Sequence, residues 1–280
     1  MDCLGRCAYD PTKKIGDGWD RCIVTLAGAG FGYWLRTLLE SLSIAGEVDD
    51  IPVVALILDG DEECLRIASD YGATVVPIRH VTPLSPGTKS VMYSIADFID
   101  ADRFVCLDAD TVCYGNLREF FDTLNSRSDL AFGMVSDGNE NRMLKDSLKT
   151  VYRATNGYAN RFISSRGLLA KVNHNDGVMV GTRRAFQAID AKFRTWNGAN
   201  LWTYGRGGVG CLNQLLLNLA AHEVADVFTL PDRWNVQLHQ NEIQWLGGIP
   251  FHAGQQATIV HWTGPSKEFR KHEHCLPVSK

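Results

Sequence analysis

The sequence predicts an α/β protein with a mostly parallel central sheet and helices on both faces. Three observations predict it. Short apolar runs rich in Val, Ile and Leu recur from Arg21 to Asp108, each too short for an ordinary helix and apolar enough for a strand buried on both faces. Between them lie stretches with apolar residues at helical spacing, and strand–helix alternation implies parallel strands joined by crossover helices. Finally, the run Phe104-Val105-Cys106-Leu107 ends in Asp108-Ala109-Asp110. On extended chain, carboxylates at i and i+2 point to the same side, and carboxyl ends of such strands are where α/β sheets bind ligands.

Residues 1–20 are mixed and Gly-rich, which predicts an irregular amino-terminal arm. Arg21–Leu26 reads as the first strand, broken by Ala27-Gly28-Ala29-Gly30. Apolar residues at 31, 34, 35, 38, 39 and 42 then predict an amphipathic helix over 31–43. The glycines lack the spacing of a dinucleotide or P-loop fingerprint, which excludes both. Val53–Leu58 is a second strand, Glu62–Tyr71 a helix closed by Gly72, and Thr74–Ile78 a third strand. Residues 82–88 form a loop, and Lys89–Ile99 a helix that feeds the strand ending at Asp108. Leu117–Leu124 is a short helix and Leu130–Val135 a strand.

Residues 137–172 hold seven Lys or Arg against three Asp or Glu and read as a lid or acceptor-side insertion, or equally as a solvated helical excursion. Asn175–Val180 is a polar turn running into a strand, and Arg184–Phe193 a helix. Residues 197–210 form a Gly-rich loop able to close over a ligand. Cys211–Ala221 is an apolar helix, Ile259–Trp262 a late strand, and 271–280 a tail. One domain over 21–270 accommodates all of this.

Composition excludes several classes. Hydrophobic residues make up 45% and charged residues 21% of the 280, which suits a globular chain with ample core material. A net charge of −4 offers no electrostatic case for nucleic acid or an anionic membrane. No run approaches the length of a membrane span, and the amino terminus lacks a secretory pattern, so a cytoplasmic location is expected. The eight cysteines are scattered, match no zinc spacing and suit a reduced compartment.

An Asp-x-Asp alone also occurs in solvated turns and helix caps, but after a buried strand two hard oxygen ligands suit a divalent cation that carries a phosphate. Five segments in order then resemble the retaining glycosyltransferase family 8 of the GT-A fold, the glycogenin-like and bacterial galactosyltransferase-like enzymes. They are Leu107–Thr111, Asn175–Val180, Asn213–Asn218, Leu230–Asn235 and His261–Lys267. The resemblance implies a GT-A type fold with Asp108, Asp110 and His261 as metal ligands. It implies Mn2+, with Mg2+ as the alternative, and a nucleotide sugar as co-substrate.

It further implies that Ala27, Phe31, Lys89, Asp108, Ala109, Asp110, Asn175, Gly177, His261, Gly264 and Lys267 contact the donor. Phe31 would stack on the base, Gly264 would let backbone approach the diphosphate, and Lys267 would bring positive charge to it. Gln214, Asp176 and Asn213 stand at the catalytic positions. Each has a simpler reading too: Phe31 as core, Lys89 as a solvated helix start, Asn175 as an Asx turn, His261 as an ordinary strand-end histidine.

Two departures stand out. Asn213 replaces the family's usual Asp and can bond sugar hydroxyls but cannot act as base or nucleophile. Gly28-Ala29-Gly30 replaces the polar residues expected for base contacts. The expected activity is therefore transfer of a hexose from a nucleotide sugar, UDP-glucose or UDP-galactose, to a hydroxyl acceptor on a sugar, lipid, protein or natural product, with retention. The alternatives are an inert sugar-nucleotide-binding relative and a sugar nucleotidyltransferase; subunit number, including a homo-oligomer, is left open.

Overall fold

The computed structural model describes residues 14–78, 88–137, 143–145, 167–198 and 212–262. Three parallel strands are where the apolar runs place them: β1 (Ile15–Ala27), β2 (Val53–Leu58) and β3 (Thr74–Ile78). The helices α1 (Gly32–Ala45) and α2 (Glu62–Asp70) connect them. Pro77 is tolerated because β3 is an edge strand. Next come β4 (Ile99–Asp108), β5 (Thr111–Cys113), α4 (Arg118–Asp122) and β6 (Ala131–Ser136), with α3 (Ile95–Phe98) just before β4. Then follow β7 (His174–Thr182), α5 (Arg183–Gly198), α6 (Leu212–Val224) and β8 (Asp226–Leu230).

The main sheet has the order β3-β2-β1-β4-β7-β6-β8. Alternate residues of each strand feed two cores. Cys22, Val24, Phe104 and Cys106 face the layer of α5 and α6, while Ile23, Val105 and Leu107 face that of α1, α2 and α4. Helices thus cover both faces, as the alternation requires.

Four expectations need correction. The sheet is mixed, not mostly parallel: β7 runs antiparallel to both β4 and β6, because the chain enters it from the ligand edge instead of through a crossover. Residues 15–20 are no irregular arm but extend β1 along β4, with a bulge between Ile15 and Trp19. Gly16 and Gly18 supply the positive φ values the bulge needs, which is why this stretch looked irregular. Residues 89–99 are not one helix. A 3-10 turn (Thr88–Tyr93) breaks at Ser94, α3 follows, and Ile99 already pairs with Ile15. Asn175 and Asp176 lie within β7, not in a turn before it.

Sequence periodicity found the late strand at Ile259 but missed β8 and most of two small sheets. One comprises β10 (Gln244–Leu246), β11 (Ile249–His252) and β12 (Gln255–Gln256). The other joins β5 to β13 (Ile259–His261) and β9 (Val236–Gln237). The loop read at 197–210 begins later than expected, because α5 continues to Gly198, and Thr88 of the 82–88 loop already belongs to the 3-10 turn. The rest of both loops, most of the 137–172 insertion, residues 1–13, Gly264, Lys267 and the 271–280 tail lie outside the described residues. Among the described residues, no helix is long and apolar enough to cross a membrane.

Candidate active site

The strand order reverses at β1: its sequence neighbours β2 and β3 lie on one side and β4 on the other. Such a switch point leaves a crevice beyond the carboxyl ends of the strands. Asp108 closes β4 there, level with Leu26 of β1. Ala109 is buried in the core, and the two carboxylates flanking it are mostly covered but reach solvent at the edge.

His261 arrives from 151 residues downstream by strand pairing. β13 runs antiparallel to β5, setting His261 opposite Thr111, and the Trp262 N–H donates to the Asp110 carbonyl at 2.9 Å. The imidazole Nε2 lies 3.2 Å from Asp110 Oδ1 and 3.5 Å from Asp108 Oδ2. One ligand atom from each of Asp108, Asp110 and His261 falls within 4.8 Å of the others, a span that one metal ion could bridge.

A second lobe of the site is built by the amino-terminal end of β7, which antiparallel entry delivers to the same edge. Met134 pairs with Met179, but the next residue, Val135, pairs with Asn175. This bulge releases Asp176 and Gly177 from the ladder with β6. Asp176 accepts from Lys89 Nζ at 2.9 Å and from the Tyr93 hydroxyl at 3.0 Å, while Lys89 also reaches Asp108 at 2.6 Å. Gly177 has a specific steric reason: a Cβ here would overlap the Cε1 and Nδ1 atoms of His261.

Charge decides what the pocket can take. Among the described residues, Asp108, Asp110 and Asp176 bring three negative charges against the ammonium of Lys89. Burial, helped by Asp110 and Asp176, pushes the Asp108 carboxyl above its usual range, against the pull of Lys89 and His261. Burial acts the same way on Asp110, but the hydrogen bond and charge of His261 outweigh it and hold that carboxyl low. Burial pulls Lys89 down, yet Asp108 and Asp176 together hold its ammonium well above the ordinary lysine value. The excess of about two negative charges beside three hard or borderline donors fits a divalent cation.

Lys89→Met should therefore destabilise the metal-free protein by about 3 kcal/mol, since it strands two carboxylates that are largely out of water. Adding Mn2+ should recover part of the loss. Denaturant unfolding with and without the ion measures both.

Behind these groups runs a line of buried amides. Asn235 Oδ1 faces His261 Nδ1 at 3.1 Å, and Asn235 Nδ2 donates to Asn175 Oδ1 at 2.8 Å. Asn175 Nδ2 reaches Gln214 Oε1 at 3.3 Å, and Gln214 Nε2 donates to Asp137 at 3.1 Å. The Gly177 N–H also donates to Asn175 Oδ1, the geometry of an Asx turn, so Asn175 has the simpler structural role as well as a place in the site. Asn213 lies in the first turn of α6 beside Gln214.

Ala27 ends β1 buried, whereas Phe31, at the start of α1, is 43% exposed and is not the core residue its simpler reading made it. The sequence reading missed Tyr93, Asp137 and the role of Asn235. Asp137 had a signal: it stands one residue past an apolar run, Ala131–Val135, whose strand ends at the same edge.

Behind the site, His174 is buried between Asn218 and Thr229, with the His222 ring 5.4 Å away. Burial first, then repulsion from His222, lowers its pKa from 6.5 to about 4. A folded-state value below the unfolded one means the unfolded chain takes the proton first, so stability falls as pH drops through 6.5 toward 4. From pH 7 to pH 5 this group alone should cost roughly 2 kcal/mol. Denaturant midpoints at both pH values, for the native chain and His174→Gln, test it; an equal slope in the variant would refute the assignment.

Three solved structures share the architecture. The WbbM bifunctional glycosyltransferase aligns over 90% of this chain at 12% identity and TM-score 0.58, with the chain spanning only 47% of that protein's length. The galactosyltransferase LgtC, solved with donor and acceptor sugar analogs, aligns over 92% of this chain and 96% of its own, at 14% identity and TM-score 0.57. Mouse xyloside xylosyltransferase 1 aligns over 86% and 97%, at 15% identity and TM-score 0.52. No curated protein sequence matches. Fold and site together define a glycosyltransferase of the GT-A type. The model of glycosyl transferase family 8 matches residues 91–271, more than half of the chain, and the chain belongs to that family.

Proposed function

We propose that this enzyme transfers a hexosyl group from UDP-glucose or UDP-galactose to a hydroxyl acceptor, with retention, using a divalent cation, Mn2+ before Mg2+. The observation that carries the proposal is the convergence of Asp108, Asp110 and His261 from distant parts of the chain. When bound, the cation supplies charge neutralisation to the departing diphosphate. Mixed oxygen and nitrogen donors favour manganese.

The chain's own groups do the rest. Lys89 brings its ammonium to the phosphate side of Asp108, and exposed Phe31 at the start of α1 offers a face to the uracil ring. Gly264 and Lys267 would close on the diphosphate from the carboxyl side. Asn175, Asp176 and Gly177 line the sugar, with Gln214 and Asn213 at the head of α6. In the transfer, the bond from the anomeric carbon to the phosphate oxygen breaks and one to the acceptor oxygen forms on the same face. The acceptor proton passes to a leaving phosphate oxygen, through an oxocarbenium-like transition state. Such a path asks no carboxylate of position 213.

The test is UDP release from UDP-glucose and UDP-galactose with Mn2+, in the presence and absence of a chelator, with simple sugars as acceptors. Metal-dependent UDP formation is expected. Tight metal-dependent binding without turnover on any acceptor would instead identify an inert relative, and pyrophosphate release from UTP and a sugar phosphate would identify a nucleotidyltransferase.

A further inference from the structure

The amide line ends on a group whose direction is not negotiable. The Gly177 backbone N–H can only donate, and it donates to Asn175 Oδ1 at 2.8 Å. That oxygen accepts a second bond from Asn235 Nδ2, also at 2.8 Å. Asn235 has one amide nitrogen and one oxygen, so its Oδ1 must be the atom turned to His261 Nδ1. An oxygen there accepts, which fixes a ring hydrogen on Nδ1 and makes Nε2, the nitrogen facing Asp108 and Asp110, the one that gives up its proton when a cation binds. Asn235 is 2% exposed and His261 1%, which shields the Asn235–His261 contact from competition by solvent.

We infer that Asn235 is a positioning residue that holds His261 in the tautomer able to ligate a divalent cation through Nε2. The inference rests on the metal reading above and deepens it. Without an oxygen at Nδ1, the neutral ring would place its hydrogen on Nε2, where Asp110 is 3.2 Å away to accept it, and the ligand atom would be masked. Three of the family's segments are thereby joined in one hydrogen-bonded chain: Asn175 and Gly177 in one, Asn235 in another, His261 in the last.

The experiment compares Mn2+ affinity, read from the paramagnetic resonance of the free ion at pH 8, for the native chain, Asn235→Leu and Asn235→Asp. The Leu variant should bind about 10–100-fold more weakly, the range for losing an outer hydrogen-bond partner of a metal ligand. The Asp variant should bind at least as tightly as the native chain, because its carboxylate still accepts from Nδ1–H. Both variants lose the donated bond to Asn175, so a purely structural role would weaken both alike and would overturn the inference. Should the Leu variant fail to fold, the Asp variant decides alone: a tenfold loss overturns the assignment, retention supports it. A native chain that does not bind Mn2+ sinks the metal site itself, whereas native binding with an unaltered Leu variant sinks only the role of Asn235.

Discussion

Asp110→Asn is expected to reduce metal-dependent UDP release by about a thousandfold, some 4 kcal/mol of transition-state stabilisation. The replacement is isosteric and leaves an oxygen able to face the site, so shape is kept. What disappears is a formal charge in a pocket where His261 holds the carboxyl in its anionic form. A divalent cation then meets one hard anionic ligand in place of two at the strand end. Raising Mn2+ well above the native requirement should restore part of the rate, because much of the defect is in affinity. Native-like turnover at limiting Mn2+ would remove Asp110 from the metal shell.

Gly177→Ala is expected to do comparable damage by another route. The backbone of Gly177 does not have a positive φ, so alanine meets no conformational penalty there. The whole cost is steric: the new methyl occupies the space of the His261 ring and lies 2.8 Å from Asn175 Oδ1. Either the ring leaves Asp110 or the bulged end of β7 shifts, at about 2 kcal/mol of stability. Mn2+ affinity should fall about a hundredfold, since Nε2 cannot stay where it is. Paired measurements of Mn2+ binding and thermal unfolding check this; an alanine variant with native affinity would show that the ring is not held as described.

The two predictions differ in how far the sequence alone foresaw them. Asp110 was legible because a carboxylate pair past an apolar run is a local pattern. Strand β4 is buried on both faces, so its composition reports its burial directly. His261 was legible only through resemblance. The pairing of β13 with β5 brings His261 to Asp110 across 151 positions, and no periodicity encodes it. The steric role of Gly177 and the orientation of Asn235 were not legible at all, since each depends on which atom of a distant segment lies opposite.

The same division runs through the fold. Local periodicity located β2, β3, α1 and α2 to within a residue or two, because each buries a face whose spacing is written in its own residues. Strand direction is a different matter. An apolar run buried on both faces looks alike whichever way it points, so the antiparallel entry of β7 emerged only from its pairing with β4 and β6. That reversal brings Asn175, Asp176 and Gly177 to the edge where Asp108 and Asp110 wait. Composition and spacing determined that the chain folds as an α/β sheet with acidic groups at one strand end. Tertiary pairing decided that a histidine, a lysine and a line of amides meet them there, because contacts between remote segments are set by packing and hydrogen-bond direction.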